Sequence, residues 1–260
     1  MFKGFLLALQ FLSIVPVRVR GDVSEADMRA SVMYFPLVGM LMGAAALGVA
    51  HLCGMVFSPA LTSGLVLVSY VVLNGGFHLD GLADTADGMA CKRDIPGRLD
   101  VMREGTVGPV GAVSIVLSLM IKFLFLLEAA GLGYFGYSLA LLVAPAASKW
   151  VMAVAMAISK PARPDGLGKI FIAKITRETA LSTIALAALI AIIIRYSGAP
   201  SAWYLFALAL MTALLIYSII SALLMRRVFG GQTGDTIGAT GELAETITML
   251  GIILWSKIMM

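Results

Sequence analysis

The sequence predicts an all-α polytopic integral membrane protein, with about seven transmembrane helices and an N-terminal interfacial or re-entrant helix. Three observations carry that expectation. Of 260 residues, 60% are apolar and 13% charged, with a mean hydropathy of +0.97. A soluble domain is nearer about half apolar and about a quarter charged, so a water-soluble enzyme, a disordered tail and a nucleic-acid module are set aside. The apolar residues lie in long runs that do not alternate. Only helices and closed barrels satisfy every backbone polar group inside a bilayer, so helices are expected. Lys and Arg collect in every second loop, the distribution of a multi-pass protein.

Residues 5–15 are apolar but about half the length of a span. Pro16 then opens a basic segment with no A-x-A cleavage site, which favours a helix lying in the interface over a signal peptide. A span needs about 20 apolar residues. Such runs lie near 32–51, 58–76, 108–128, 135–158, 179–197, 202–224 and 238–256. The second is the least regular, because it runs into Asn74, Gly75 and Gly76.

Loop charge supports the count independently of hydropathy. Residues 16–31 carry Arg18, Arg20 and Arg29, and residues 77–107 carry Lys92, Arg93, Arg98 and Arg103. Residues 159–178 carry Lys160, Arg163, Lys169, Lys174 and Arg177, and residues 225–237 carry Arg226 and Arg227. The alternate loops, 52–57, 129–134 and 198–201, carry none. The positive-inside rule places the four basic loops in the cytoplasm. Cys53 and Cys91 then face opposite sides and cannot pair. All of the 15 acids except Glu128 fall on the cytoplasmic side or in adjoining helix turns. The longest loop, 77–107, is too short for a domain of its own. A single membrane domain, 1–260, is expected, its active site built from cytoplasmic loops and helix ends. The net charge of +4 implies no polyanion partner by itself.

The densest polar chemistry is Gly75-Gly76-Phe77-His78-Leu79-Asp80-Gly81-Leu82-Ala83-Asp84-Thr85-Ala86-Asp87-Gly88. On a helix Asp80, Asp84 and Asp87 fall within an arc of about 60°. Like charges so placed repel, and an all-oxygen set without Cys suits Mg²⁺, Mn²⁺ or Ca²⁺. His78 reads either as a structural hydrogen-bonder or as a ligand or base. A second set follows in Gly230-Gly231-Gln232-Thr233-Gly234-Asp235-Thr236-Ile237-Gly238-Ala239-Thr240-Gly241-Glu242-Leu243-Ala244-Glu245. Glu242 lies about 20° from Asp235 around a helix and Glu245 about 80°. Acids opening a membrane helix are a functional expectation, although helix-dipole compensation also favours them. The glycine-rich loop with Gln232 and Thr233 offers backbone N–H groups to phosphate.

Cations complete the pattern. Lys92 and Arg103 follow the first acidic set, and Lys169 flanks an apolar insert in a polar loop. Lys149 sits inside the fourth span beside Ser148, either snorkelling or binding an anion. Lys122 poses the same choice in the third span. Together these residues look like phosphoryl transfer: metal held by carboxylates, a diphosphate positioned by cations, and an acid accepting the proton of an attacking hydroxyl.

The run GGFHLDGLADTADG closely resembles the signature of the adenosylcobinamide-GDP ribazoletransferase (cobalamin synthase) family. So do GGQTGDTIGA with Glu242 and Glu245, Tyr34-Phe35-Pro36-Leu37-Val38-Gly39, and Gly166-Leu167-Gly168-Lys169 with Phe171-Ile172. The resemblance implies a multi-pass enzyme of the bacterial inner membrane using Mg²⁺. It implies that adenosylcobinamide-GDP is joined to α-ribazole or its 5′-phosphate, with release of GMP. It places Asp80, Asp84 and Asp87 in the metal motif, where we assign Asp80 and Asp84 as principal ligands and Asp87 as ligand or base. Asp235, Glu242 and Glu245 are expected to complete a second metal position or to orient the nucleophile. Two positions depart from the family pattern: Arg103-Glu104-Gly105-Thr106 stands where Arg-Asp-Ser is usual, and Ser148-Lys149 where Ser-Arg is usual. The alternatives are a CDP-alcohol phosphotransferase, which Asp80-Gly81-Leu82-Ala83-Asp84 partly matches, and a cation transporter. The first lacks its GxxxDxxxD half here, and the second needs acids at span centres.

Overall fold

A computed structural model describes residues 2–163 and 168–259, with the backbone alone for Phe2, Gly168 and Lys169. The helices are α1 (Phe2–Leu12), α2 (Glu25–Ser31), α3 (Phe35–Gly54), α4 (Pro59–Asn74), α5 (Phe77–Ala90), α6 (Ile95–Val101), α7 (Pro109–Ala130), α8 (Gly133–Ile158), α9 (Gly168–Phe171), α10 (Thr176–Ser197), α11 (Ala202–Phe229) and α12 (Gly234–Met259). Among the described residues there is no β-strand, only an isolated parallel bridge between Pro161 and Gln232.

Each expected apolar run coincides with helix to within a few residues at its ends. Among the described residues six segments are long and apolar enough to cross a membrane: Glu25–Gly54, Pro109–Ala130, Gly133–Ile158, Thr176–Ser197, Ala202–Phe229 and Gly234–Met259. The first is longer than its apolar run because a capping box at Ser24 starts α2 early, with Asp27 answering the Ser24 backbone. The irregular second run is α4, capped by Ser58 and opened by Pro59. Its 16 residues span about 24 Å, short of a hydrocarbon core of about 30 Å. Gly75 and Gly76, at φ 69° and 74°, then use a backbone region open chiefly to glycine. They turn α5 by 85° from the axis of α4. With α4 upright in the bilayer, α5 lies along its surface. The 11 residues of α1 reach about 16 Å, enough to lie in the interface but not to cross.

The centre of the bundle is α8. In its most apolar window 83% of residues are buried, against 22% in α7 and 28% in α10, which are peripheral. Small residues (Ala140, Ala144, Ala146 and Ala147) are all within 1% of full burial and let neighbouring helices approach. Pro145 lies inside α8 and has no N–H to give the Leu141 carbonyl. The Tyr70 hydroxyl of α4 donates to that carbonyl at 2.6 Å, so the helix carries its proline without an orphaned acceptor.

The polar loops meet at one end. The Gln232 N–H donates to the Lys160 carbonyl and the Ala162 N–H to the Gln232 carbonyl, each at 2.9 Å. Arg98 donates to the Val228 carbonyl at 3.4 Å, and Arg163 to the Leu99 carbonyl at 2.6 Å. Three of the four basic loops are thereby hydrogen-bonded to one another around α5 and α6. The fourth is tied to α1 by Lys3, 2.8 Å from Asp27.

Candidate active site

The site forms where α5 crosses the start of α12. A Cβ on Gly81 would stand 2.7 Å from the Asp235 carbonyl oxygen and 2.9 Å from its Cα. The two backbones therefore touch, with Asp80 and Asp84 on one side of the crossing and Asp235 on the other. Asp80 and Asp235 line a cleft of about 440 Å³ together with His78 and Gly238. Asp84 follows one turn after Asp80, half-buried. Its carboxyl is pushed up from 3.8 to about 6, by burial first and then by the carboxylates of Asp80, Asp235 and Asp87, while Arg163 acts in the opposite sense. Desolvation and crowding of like charge both favour the neutral acid. The crossing thus concentrates negative charge that a cation would relieve.

Asp87 is held differently from its two neighbours. Its carboxylate accepts the N–H of Gly108 at 2.7 Å and that of Gly111 at 2.8 Å, one on each oxygen. These are orphan donors at the N-terminus of α7, where a carboxylate is favoured by hydrogen bonding and by the helix dipole. A Cβ on Gly111 would lie 2.3 Å from the carboxylate, so glycine is what lets the acid reach the helix end. The spacing of Asp80, Asp84 and Asp87 puts all three on one face, and the arrival of α7 gives the third a partner of its own.

His78 is buried on the bundle side of the cleft. Its Nδ1 lies 2.9 Å from the Lys149 ammonium and 3.0 Å from the Asn74 side-chain nitrogen. An ammonium only donates, so Nδ1 accepts and the imidazole proton resides on Nε2. His78 can therefore donate into the cleft and cannot serve as a base through Nε2. Lys149, fully buried in α8, binds this imidazole and does not snorkel.

Glu242 and Glu245 do not join the acids of α5. They lie about 10 Å and about 15 Å along α12 from Asp235 by helical rise. There they meet Lys122 of α7, whose Nζ is 2.5 Å from Glu242 and 3.3 Å from Glu245. These three line an inner cavity with Tyr70, Asn74 and Lys149. In this arrangement the three form a buried ion-pair cluster that braces α12 against α7.

Gln232 and Thr233 turn inward. The Gln232 side-chain oxygen accepts from the Thr236 hydroxyl at 2.5 Å, and the Thr233 hydroxyl accepts the Thr236 N–H at 3.2 Å. They shape the start of α12, and Thr233 also reaches Asp235 at 3.4 Å. Lys92 and Arg103 are exposed, one on each side of α6. The expected contact through Lys169 falls on a side chain outside the described residues. The residue that sequence reasoning missed is Arg163, whose charge acts on both Asp84 and Asp235. Its only signal in the sequence was membership of a basic loop.

Among the described residues no three His, Cys, Asp or Glu side chains converge closely enough to hold a metal alone. Mg²⁺ usually takes one or two carboxylates and completes its shell with water and substrate phosphate. The pair Asp80 and Asp84, all-oxygen and crowded by like charge, fits that demand.

A family model described as Cobalamin-5-phosphate synthase matches residues 4–253. Among curated proteins, an adenosylcobinamide-GDP ribazoletransferase of Klebsiella pneumoniae is 36% identical over 97% of this chain and 100% of its own. One of Thermodesulfovibrio yellowstonii is 31% identical over 99% and 98%, and one of Desulforamulus reducens 33% identical over the full length of both. No solved structure matches. With the aspartate-bearing α5 and the glycine-rich start of α12 both inside the matched region, the chain belongs to the cobalamin-5-phosphate synthase family.

Proposed function

We propose that the protein joins adenosylcobinamide-GDP to α-ribazole or α-ribazole 5′-phosphate, releasing GMP, at the cytoplasmic face of the bacterial inner membrane. The observation that carries this reading is the crossing of α5 and α12, which sets Asp80 and Asp84 beside Asp235 and Arg163 at the edge of a cleft. The relatives named adenosylcobinamide-GDP ribazoletransferase supply the substrates and favour this reading over a CDP-alcohol phosphotransferase or a cation transporter. The basic loops gathered around α5 support the cytoplasmic orientation.

Asp80 and Asp84 would hold Mg²⁺, which supplies charge neutralisation for the diphosphate and its leaving group. The rest falls to side chains. Arg163, close to both acidic arms, offers a planar fork of donors to phosphate oxygens. The ribose hydroxyl of the ribazole attacks the phosphorus attached to cobinamide, and GMP departs. Asp235, lining the cleft and steadied by Thr233, takes the hydroxyl proton. Asp87 is less suited to that role than Asp235, because each of its oxygens already accepts an N–H from α7. His78 donates its fixed Nε2–H to a substrate oxygen in the cleft. Lys92 and Arg103, exposed beside the site, attract the anionic nucleotide from solution.

The test uses protein purified in detergent with adenosylcobinamide-GDP, α-ribazole and Mg²⁺, following GMP and the corrinoid product together. Equal release of both supports the reading. Uptake of Mg²⁺ into vesicles without GMP release would replace it with transport.

A further inference from the structure

The cleft at the α5–α12 crossing is lined by two unlike sets of side chains, and that contrast bears on which substrate it takes. Asp80, His78, Asp235 and Gln10 are polar. Phe11 of α1, Phe77 of α5, Met152 and Met156 of α8, Phe171 of α9 and Ile237 of α12 are apolar. The aromatic rings are already arrayed. Phe11 stacks on the fully buried Phe35 at 6.0 Å and meets Phe171 at 5.6 Å. Two of the wall residues are open to a ligand, since Phe11 is 39% and Phe77 62% exposed.

We infer that this cleft is the acceptor-nucleoside site, holding a ribose that carries an apolar aromatic base, with the base on the aromatic wall and the ribose at the acids. The inference rests on the proposed reaction and divides its two substrates. A volume of about 440 Å³ suits a small ligand and is far too small for a corrinoid bearing a nucleotide, which must approach from the open surface. The guanine of the other substrate has a polar edge rich in donors and acceptors. The apolar side chains give that edge no partner, so guanine could pair only by displacing the ribose from Asp80, Asp235 and Gln10. The base of α-ribazole, a methylated benzimidazole, has almost no such edge. Its flat face matches the rings, and its thioether neighbours Met152 and Met156 accept aromatic contacts. Placing the base there puts the ribose hydroxyls beside Asp235, where the attacking oxygen must lose its proton. The acceptor would also lie under α1, so this short helix acts as one wall of a binding site and not solely as a membrane anchor.

The experiment measures equilibrium binding of α-ribazole alone to detergent-purified protein, and then the KM of each substrate, in Phe77→Ala, Phe11→Ala and Phe77→Trp. Phe77 is the more exposed of the two, and thermal unfolding of each variant establishes its fold before binding is read. Base stacking on an aromatic side chain supports a rise of roughly tenfold in the Kd and KM for α-ribazole in each alanine variant. The KM for adenosylcobinamide-GDP stays within about twofold, and Phe77→Trp restores ribazole binding. Unchanged ribazole binding in both alanine variants overturns the inference, as does a rise confined to adenosylcobinamide-GDP. Binding is read without turnover, so its loss in the variants supports the cleft assignment even where wild type releases no GMP, an outcome that would defeat the proposed reaction alone.

Discussion

Removing Lys122 is expected to be among the most damaging single changes in the protein. Its ammonium sits 2.5 Å from Glu242 and 3.3 Å from Glu245, with all three side chains 5–6% exposed. Breaking a buried pair by deleting one partner costs about 3–5 kcal/mol, because the remaining charge is left without its counter-ion. Lys122→Met takes the counter-ion from two carboxylates, with Ser118 at 3.5 Å as the remaining donor to Glu242, so the upper end, about 5 kcal/mol, is expected. That is a third or more of the roughly 5–15 kcal/mol that hold a typical domain. Neutralising the whole cluster, with Lys122→Met, Glu242→Gln and Glu245→Gln combined, should bring stability back to within about 2 kcal/mol of wild type, since buried ion pairs gain little over neutral replacements. The assay is unfolding in mixed micelles by added dodecyl sulfate, followed by tryptophan fluorescence. Wild-type stability in Lys122→Met would refute the reasoning. So would a triple variant as unstable as the single one. Either result would free Glu242 and Glu245 for another partner and return them to consideration as ligands.

Asp87→Asn keeps one acceptor for the α7 N-terminus but loses the second and the charge. It should cost about 1–2 kcal/mol while leaving the Mg²⁺ requirement unchanged, as Mg²⁺ titration of the residual activity would show. Tyr70→Phe should cost about 1–3 kcal/mol in the same unfolding assay, the price of an unpaired Leu141 carbonyl beside Pro145. The Asp84 carboxyl at about 6 must lose its proton to bind a cation. The Mg²⁺ concentration for half-maximal rate should therefore rise as pH falls below about 6, approaching tenfold per unit, and a pH-independent requirement would contradict this. Because its folded value lies above the unfolded 3.8, Asp84 stabilises the metal-free fold fully below about pH 4. That contribution is lost as pH rises through about 6, which thermal unfolding in chelator would record.

The spans were legible because lipid demands about 20 apolar residues per crossing and the loops announce their side by charge. Their starts were less so. Asp27 and Asp235 open helices upstream of the apolar runs, where capping and not hydropathy decides. Within the site, the angular pattern of Asp80 and Asp84 held because both lie within one turn of the crossing. The same angular argument grouped Asp235 with Glu242 and Glu245. A helical wheel has no axis, and helical rise separates these residues into an exposed cleft and a buried brace. Asp87 shared the right face, yet its partner comes from Gly108 and Gly111, a tertiary contact that no local period encodes. Lys149 and Lys122 stood out as charges inside spans, but the sequence named neither His78 nor the glutamates as their partners. Arg163 stood in a basic loop like its neighbours, and the bridge of Pro161 to Gln232 and its own bond to Leu99 bring it to the acids.

The assignment of the reacting centre to the α5–α12 crossing is tested most directly by comparing Asp84→Asn with Glu242→Gln in Mg²⁺-dependent GMP release from adenosylcobinamide-GDP and α-ribazole. Both proteins are first shown to be folded in detergent. The account predicts a loss of at least about a hundredfold in Asp84→Asn. It also predicts that Glu242→Gln, though less stable, keeps the wild-type Mg²⁺ dependence in whatever fraction remains folded. Retained turnover in Asp84→Asn, or a Mg²⁺ requirement that shifts in Glu242→Gln alone, would contradict it.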